Sequence, residues 1–225
     1  MSTPQRSDDK EAISEMTTGR LSVYLRCLES LDETTVSSRE LADRFHLNAA
    51  QIRKDLAHFG EFGIRGVGYN VALLKEHLIQ TLGIDRPRHA IIVGAGNLGM
   101  ALADYKGFNT EGFRVVALID SDPRKIGTTS RTEIAIRAPD ELPAIVKKHH
   151  AEIGIIAVGP ADAEAVCDAL IDAGLCAILN FAPVQIRARE GVKIKSVDLR
   201  INLESLSFFL KNAEDALCVE KKSEA

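Results

Sequence analysis

The run "HAIIVGAGNLGMALADY" at positions 89–105 constrains this chain more than any other. It reads as a buried apolar strand that passes straight into a helix, with glycines at 94, 96 and 99 in the turn between them. A bare G-x-G-x-x-G is common, so the strand before and the helix after carry the weight. Gly94 allows the tight turn, Gly96 lets backbone N–H groups meet a pyrophosphate, and Gly99 lets helix pack on sheet. A second strand, "RVVALID", ends in Asp120, 21 residues beyond Gly99. A carboxylate there accepts from adenosine ribose hydroxyls and repels a 2′-phosphate. The predicted dinucleotide site is Gly94, Ala95, Gly96, Asn97, Leu98, Gly99 and Asp120, with NAD favoured over NADP. Arg124 and Lys125 temper that preference, and Lys125 is counted with the site.

Downstream, strand and helix patterns alternate: a short strand near Ile134, a helix over about 140–149, strand 153–158, helix 161–173, then strands 176–180 and 192–197. That alternation predicts a doubly wound parallel sheet over residues 86–201, an α/β fold. Ligands sit at the carboxyl ends of such strands, so Gly159, Pro160 and the turn from Asn180 to Pro183 are candidate walls for the nicotinamide. Prolines in these places also simply end strands, and spacing does not separate the two readings. A last helix runs from Leu203 to about Leu217, with Leu203, Leu206, Phe209, Leu210, Ala213 and Leu217 on one stripe. It follows a completed sheet, so its apolar face needs a partner subunit or its own core. Residues 202–225 are assigned to this helix and tail.

The first part of the chain has a different grammar. Residues 1–16 are polar and read as a mobile arm. A head over 17–85 opens with an amphipathic helix from Thr17 that carries Leu21, Tyr24, Leu25, Leu28 and Leu31. Val36-Ser37-x-x-Glu40-Leu41 then combines an N-cap serine, a glutamate at the third helical position and a hydrophobic staple. The same grammar repeats at Leu47-Asn48-x-x-Gln51-Ile52. Two helices, 38–45 and 49–59, are thus joined by a turn of about three residues, the dimensions of a helix-turn-helix. On the second helix Ile52, Leu56 and Phe59 face inward, whereas Ala50, Gln51, Lys54, Ala57 and His58 face away with Arg53 on the flank. Small residues such as Ala49 permit close approach to a duplex. Gln51 can bond adenine, and Arg53, Lys54 and His58 can reach phosphate or guanine. The glycine-studded "FGEFGIRGVGYNV" predicts a wing with Arg65 near its tip, suited to a narrow minor groove. A phosphate cradle by these glycines is the weaker alternative. A helix from Leu73 to Leu82 closes the head at Gly83, and "IDRPRH" reads as a linker.

Charge does not help the nucleic-acid reading. Residues 1–85 hold 10 Lys and Arg against 13 Asp and Glu, and the remainder hold 18 against 19. A DNA partner therefore rests on local arrangement alone. No run is apolar enough to span a membrane and no apolar signal core opens the chain, so a cytoplasmic protein with no membrane partner is expected. Cys27, Cys167, Cys176 and Cys218 lack ligand-like spacing, and adjacent His149 and His150 diverge on a helix, so no metal is expected. The histidines at 46, 58, 77, 89, 149 and 150 avoid the carboxyl ends of the later strands, and no length remains for a substrate domain. An NAD-dependent oxidoreductase with an accessory DNA-binding head is the alternative reading, but no catalytic residue is assigned.

Five stretches in order resemble the Rex family of redox-sensing repressors: "QIRKDLAHFGEFGIRGVGY" at 51–69, "IVGAGNLGMALADYKGF" at 92–108, "IDSDPRKIG" at 119–127, "AILNFAPV" at 177–184, and "VDL" followed by "LESLSFFL". The resemblance covers about Thr17 to Leu210. It implies a homodimer with winged-helix heads and a C-terminal helix swapped into the partner. It implies an inverted-repeat DNA operator, bound when NADH is low and released by NADH. It further implies switch positions at Arg26, Tyr105 and Asp198, with Asp198 pairing Arg26 in the DNA-bound form and turning to Tyr105 when NADH binds. Leu199 stands where some members have Phe, and Gly159-Pro160 where the family often has Val-Pro.

Overall fold

In a computed structural model of the chain, residues 15–60, 62–64, 66–108, 112–187 and 189–223 are described, without side chains from 213 onward. The chain forms two compact units that divide between Arg86 and Pro87.

The first unit contains α1 (Glu15–Glu29), β1 (Thr35–Val36), α2 (Ser38–Phe45), α3 (Ala49–Phe59), β2 (Gly63–Ile64), β3 (Gly68–Asn70) and α4 (Val71–Leu82). The first predicted capping box forms in full, and the second forms only its N-cap half, since the Gln51 side chain is drawn to Asp55. Ser37 Oγ accepts from the Glu40 N–H at 3.1 Å while Glu40 Oε2 accepts from the Ser37 N–H at 2.7 Å. Asn48 Oδ1 accepts from the N–H groups of Ala50 and Gln51 at 2.9 and 3.0 Å, which fixes where α3 begins. α1 starts two residues before the sequence reading placed it, and the rest of the expected arm, 1–14, lies outside the described residues. α4 likewise starts at Val71 instead of Leu73, because Asn70 caps it by accepting from the Leu73 N–H. The three short strands form an antiparallel sheet in the order β1-β3-β2, with Ile64 opposite Gly68 across the wing turn. Gly63 and Gly68 are accounted for by packing, since a Cβ would meet the Tyr69 ring at 2.9 Å and the Val36 carbonyl at 2.5 Å respectively. Packing thus calls for glycine at 63 and 68, whereas Gly66 takes φ +84° with open space around it.

Leu21, Leu28, Leu41, Ile52, Leu56, Leu74 and Leu78 fill the core of this unit. Among them sits a buried carboxylate. Asp55 of α3 accepts from Arg20 Nε at 2.5 Å, Arg20 Nη2 at 2.8 Å, the Tyr24 hydroxyl at 2.8 Å and Gln51 Nε2 at 2.7 Å. This fork clamps α3 to α1. The Arg20 hydrogen bonds hold the Asp55 carboxyl at about 2 against the opposing effect of burial, with Tyr24 and Gln51 assisting. Burial and the neighbouring carboxylate push the Tyr24 hydroxyl up.

The second unit contains β4 (Arg88–Val93), α5 (Asn97–Ala103), β5 (Phe113–Ile119), β6 (Ile136–Arg137), α6 (Leu142–His149), β7 (Ile153–Ile156), α7 (Ala163–Asp172), β8 (Ala177–Asn180), β9 (Lys193–Ser196) and α8 (Leu199–Ser223). The strands form one parallel sheet in the order β6-β5-β4-β7-β8-β9. The chain moves outward from β4 to β6 and returns beside β4 at β7, so the crevice at the carboxyl ends of β4 and β7 is the topological switch point. Several boundaries shift from the sequence reading. The short strand lies at 136–137 beyond Ile134, and a 3-10 turn over 139–141 precedes α6. The last helix begins at Leu199, four residues before Leu203, because Asp198 Oδ1 accepts from the Arg200 N–H and starts it early.

Two glycines hold the crevice closed from below. Gly94 has φ +105°, and a Cβ there would stand 2.5 Å from the Ala157 carbonyl oxygen just past β7. A Cβ on Gly99 would strike the carbonyl oxygen of Gly94. Gly96 differs, having nothing within 4 Å of a Cβ position.

Two stability outcomes follow from this packing. Gly99→Ala should destabilise the chain by about 3 kcal/mol and Gly96→Ala by no more than about 1 kcal/mol, read as denaturant midpoints. Asp55→Asn should cost about 2 kcal/mol at pH 7, since it leaves Arg20 without its counter-charge. The Asp55 carboxyl sits near 2 when folded and about 3.9 when unfolded, so its contribution is full above about pH 5 and fades as pH falls toward 2. The gap between wild type and Asp55→Asn should therefore narrow below about pH 4 in pH-dependent unfolding curves.

Candidate dinucleotide site and nucleic-acid interface

The turn from β4 to α5 presents backbone donors to the crevice. Gly96 is the N-cap of α5, carries no side chain to satisfy the first helical N–H groups, and faces open space. The glycines at 94 and 99 are required by protein atoms, whereas the bare Cα of Gly96 leaves room for something outside the chain. An anionic pyrophosphate suits such a position. Asn97 and Leu98 form the first turn of α5, and both are exposed.

Asp120, at the end of β5, reaches across to this turn. Its Oδ2 accepts from the Ala95 N–H at 2.8 Å and from Lys125 Nζ at 2.9 Å, and its Oδ1 accepts from the Asp122 N–H at 2.8 Å. Burial pushes this carboxyl up, but the hydrogen bonds from Asp122, Lys125 and Ala95 outweigh it and hold it below the usual range. Asp120 thus arrives ionised and already tied to the glycine turn, with one oxygen carrying a single bond. Lys125 is engaged with Asp120, and Arg124 forks onto Asp122, so both cations that tempered the NAD preference have carboxylate partners.

On the nicotinamide side, Gly159 and Pro160 are exposed beyond β7. Asn180 differs from expectation. Its side chain is wholly buried; Nδ2 donates to the carbonyls of Ala182 and Val184 and to Ser196 Oγ, while Oδ1 accepts from the Ala182 N–H. It shapes the loop after β8, so the wall at this point is backbone and not the Asn180 amide. Tyr105 follows α5, is 56% exposed, and packs edge-to-face on Phe108 with ring centroids 5.3 Å apart.

On α3, Arg53, Lys54, Ala57 and His58 are exposed, as is Ala50. Arg53 Nη1 donates to Ser38 Oγ at 3.0 Å, which steadies it on the flank. Two residues depart from the reading. Gln51 is half-buried with its amide donating to Asp55, because the clamp draws it back along the helix. Ala49 packs against the core of the unit, and Ala50 beside it is the outward alanine. Arg65 lies outside the described residues. The clamp residues Arg20, Tyr24 and Asp55 were not foreseen, although a signal existed: Asp55 borders the arc of Ile52, Leu56 and Phe59, and Arg20 and Tyr24 are one turn apart on α1.

Arg26 is exposed near the end of α1, and Asp198 is half-buried as the cap of α8. Cys27 and Cys167 are buried, which pushes both thiols up and makes them poor nucleophiles; Cys176 is exposed, and the Cys218 side chain lies outside the described residues. Among the described residues no group of His, Cys, Asp and Glu could hold a metal ion, and no helix is long and apolar enough to cross a membrane.

Residues 85–184 match the family described as "CoA binding domain", and residues 12–57 match the one described as "Putative DNA-binding protein N-terminus". The redox-sensing transcriptional repressor Rex of Pelotomaculum thermopropionicum is 46% identical over 205 residues, covering 90% of this chain and 96% of that protein. Rex of Streptomyces coelicolor is 45% identical over 199 residues, covering 87% of this chain and 77% of that protein. Among solved structures, RSP in complex with NAD+ and operator DNA aligns with a TM-score of 0.86 at 34% identity, covering 94% of this chain and 98% of that one. RSP in complex with NADH aligns with a TM-score of 0.81 at 33% identity, covering 93% and 100%.

Proposed function

The chain belongs to the Rex family of redox-sensing transcriptional repressors, and from that membership we propose that it is a cytoplasmic DNA-binding repressor governed by the NADH/NAD+ ratio. It binds an inverted-repeat operator when NADH is low and leaves it when NADH rises. Its relatives are named as repressors and not as enzymes. The observation that carries the reading is the pairing, within one chain, of an exposed helix-turn-helix face on α3 with a switch-point crevice whose Gly96 is bare toward open space.

In this reading the head comprises residues 17–85 and the Rossmann-type core residues 86–201, with the C-terminal segment at 202–225. Lys54, His58 and Arg53 on α3 engage the duplex, with Arg65 of the wing in the minor groove. Gln51, held by Asp55, acts chiefly by fixing the helix. The Gly94–Gly99 turn takes the pyrophosphate, Asp120 the adenosine ribose, and Tyr105 with Gly159 and Pro160 borders the nicotinamide.

The reduced nicotinamide ring is uncharged and the oxidised ring is cationic, so a drier pocket favours NADH. A hundredfold preference would correspond to about 2.7 kcal/mol, enough to shift a two-state equilibrium substantially. Arg26, Asp198 and Tyr105 are the switch residues. Asp198 leaves Arg26 for Tyr105 as NADH binds, and the two recognition helices lose the one-turn spacing an operator demands.

The assembly is a homodimer. α8 exposes Leu199, Leu203, Leu206, Phe208, Phe209 and Leu210, each at least 60% accessible, on a helix about 37 Å long. A monomer would leave this surface in water. A largely apolar groove of about 280 Å³ over β7 and β8, bordered by Phe113, Ile153, Ile155 and Leu179, suits an apolar helix from a second copy.

Fluorescence anisotropy on an inverted-repeat duplex tests the function. NADH should release the protein at concentrations where NAD+ and NADPH do not; operator affinity indifferent to NADH contradicts the reading. Asp120→Ala should weaken the NADH response at least about tenfold with operator binding retained. Lys54→Ala should weaken the operator about tenfold with NADH affinity unchanged, and the opposite pattern would reverse these assignments.

A further inference from the structure

Gly107 sits in the short 3-10 turn Lys106–Phe108 and does not have a positive φ, so its backbone does not call for glycine. What a side chain there would meet is the ring of Tyr105. A Cβ at Gly107 would stand 2.5 Å from Tyr105 Cε1, 2.7 Å from Cζ and 2.9 Å from Oη. The ring therefore lies over the bare Cα of Gly107, with Phe108 edge-on to it.

The backbone on both sides is anchored. The Tyr105 N–H donates to the Leu102 carbonyl at 3.2 Å, and the Phe108 N–H donates to the Tyr105 carbonyl at 3.1 Å. Asp104, immediately before, accepts from the Thr132 N–H at 2.9 Å, Thr132 Oγ1 at 3.0 Å and Arg131 Nε at 3.2 Å. With the main chain so held, a change in the position of this tyrosine is a rotation of its side chain.

We propose that Gly107 is a positioning residue of the redox switch: its bare Cα is the seat on which the Tyr105 ring rests, and the seat holds the ring back from its position against bound NADH. The inference rests on Tyr105 being a switch residue. It makes the missing side chain at 107 a determinant of how much NADH is required. A larger residue removes the seat at little cost to the fold, because every colliding atom belongs to the far end of a side chain with two rotatable bonds.

The protein has three tyrosines and no tryptophan, so incorporation of 3-fluorotyrosine gives a simple ¹⁹F spectrum in which Tyr105→Phe identifies one resonance. Gly107→Ala should move that resonance without NADH, and NADH should move it in the wild type. In the full-length dimer on its operator, Gly107→Ala should lower the NADH concentration for half-release by about three- to tenfold, with the unfolding midpoint and effector-free operator affinity little changed. An unmoved Tyr105 resonance in Gly107→Ala overturns the seat. A moved resonance with an unchanged or raised NADH requirement, while Tyr105→Ala alters the response, overturns the seat's part in switching and leaves the switch reading intact. If Tyr105→Ala leaves the NADH response untouched, the switch reading itself fails and the proposal falls with it.

Discussion

Helix α5 lies so near the end of β4 that a Cβ on Gly99 would strike the carbonyl oxygen of Gly94, and much else follows from this packing. Helix α5 can begin directly above β4 only because Gly99 carries no Cβ, and Gly94 without one lets the same turn lie against Ala157 beyond β7. That contact brings the first turn of α5 to the crevice between β4 and β7, where a parallel sheet reverses its strand order. Asp120 then closes the arrangement from β5 by accepting from the Ala95 N–H. Of the three glycines in this turn, Gly94 and Gly99 are justified by protein atoms, and Gly96 is the one a ligand would justify.

The head is organised on the same principle with different chemistry. The exposed face of α3 is set by a buried charge beneath it, since Asp55 binds α3 to α1 through Arg20 and Tyr24. A forked arginine–carboxylate pair imposes orientation in a way that apolar contacts do not, because both partners lose most of their energy when misaligned. Helix α3 is thus held in angle as well as in position. The Asp55–Arg20 pair consumes one charge of each sign and leaves the head acidic, so a nucleic-acid role rests on local arrangement: the outward face of α3 carries Arg53, Lys54 and His58.

Local rules made much of this fold legible beforehand. Helix caps depend on residues three apart, so Ser37 with Glu40, and Asn48 before Gln51, could be read without knowing any neighbour. The glycine spacing and the acid after the second strand likewise declared the strand–turn–helix at the switch point. What escaped were interactions across sequence distance. Arg20 and Asp55 are 35 residues apart, and without their clamp Gln51 looked outward. Asn180 looked like a pocket wall because it ends a strand, but its amide is spent on its own loop. Position 107 carried no signal, because the need for glycine there comes from the ring of Tyr105 and not from its own backbone. The family resemblance, and not the spacing, singled out Arg26, Tyr105 and Asp198.

If one protein couples a dinucleotide crevice to a DNA-reading face, the coupling must be reciprocal. The direct test is the dissociation constant for NADH measured with and without saturating operator duplex at one salt concentration. Saturating operator should weaken NADH binding by the same factor by which NADH weakens operator binding. An NADH dissociation constant indifferent to the operator would mean that the two sites share a chain without sharing an equilibrium, and would contradict the account.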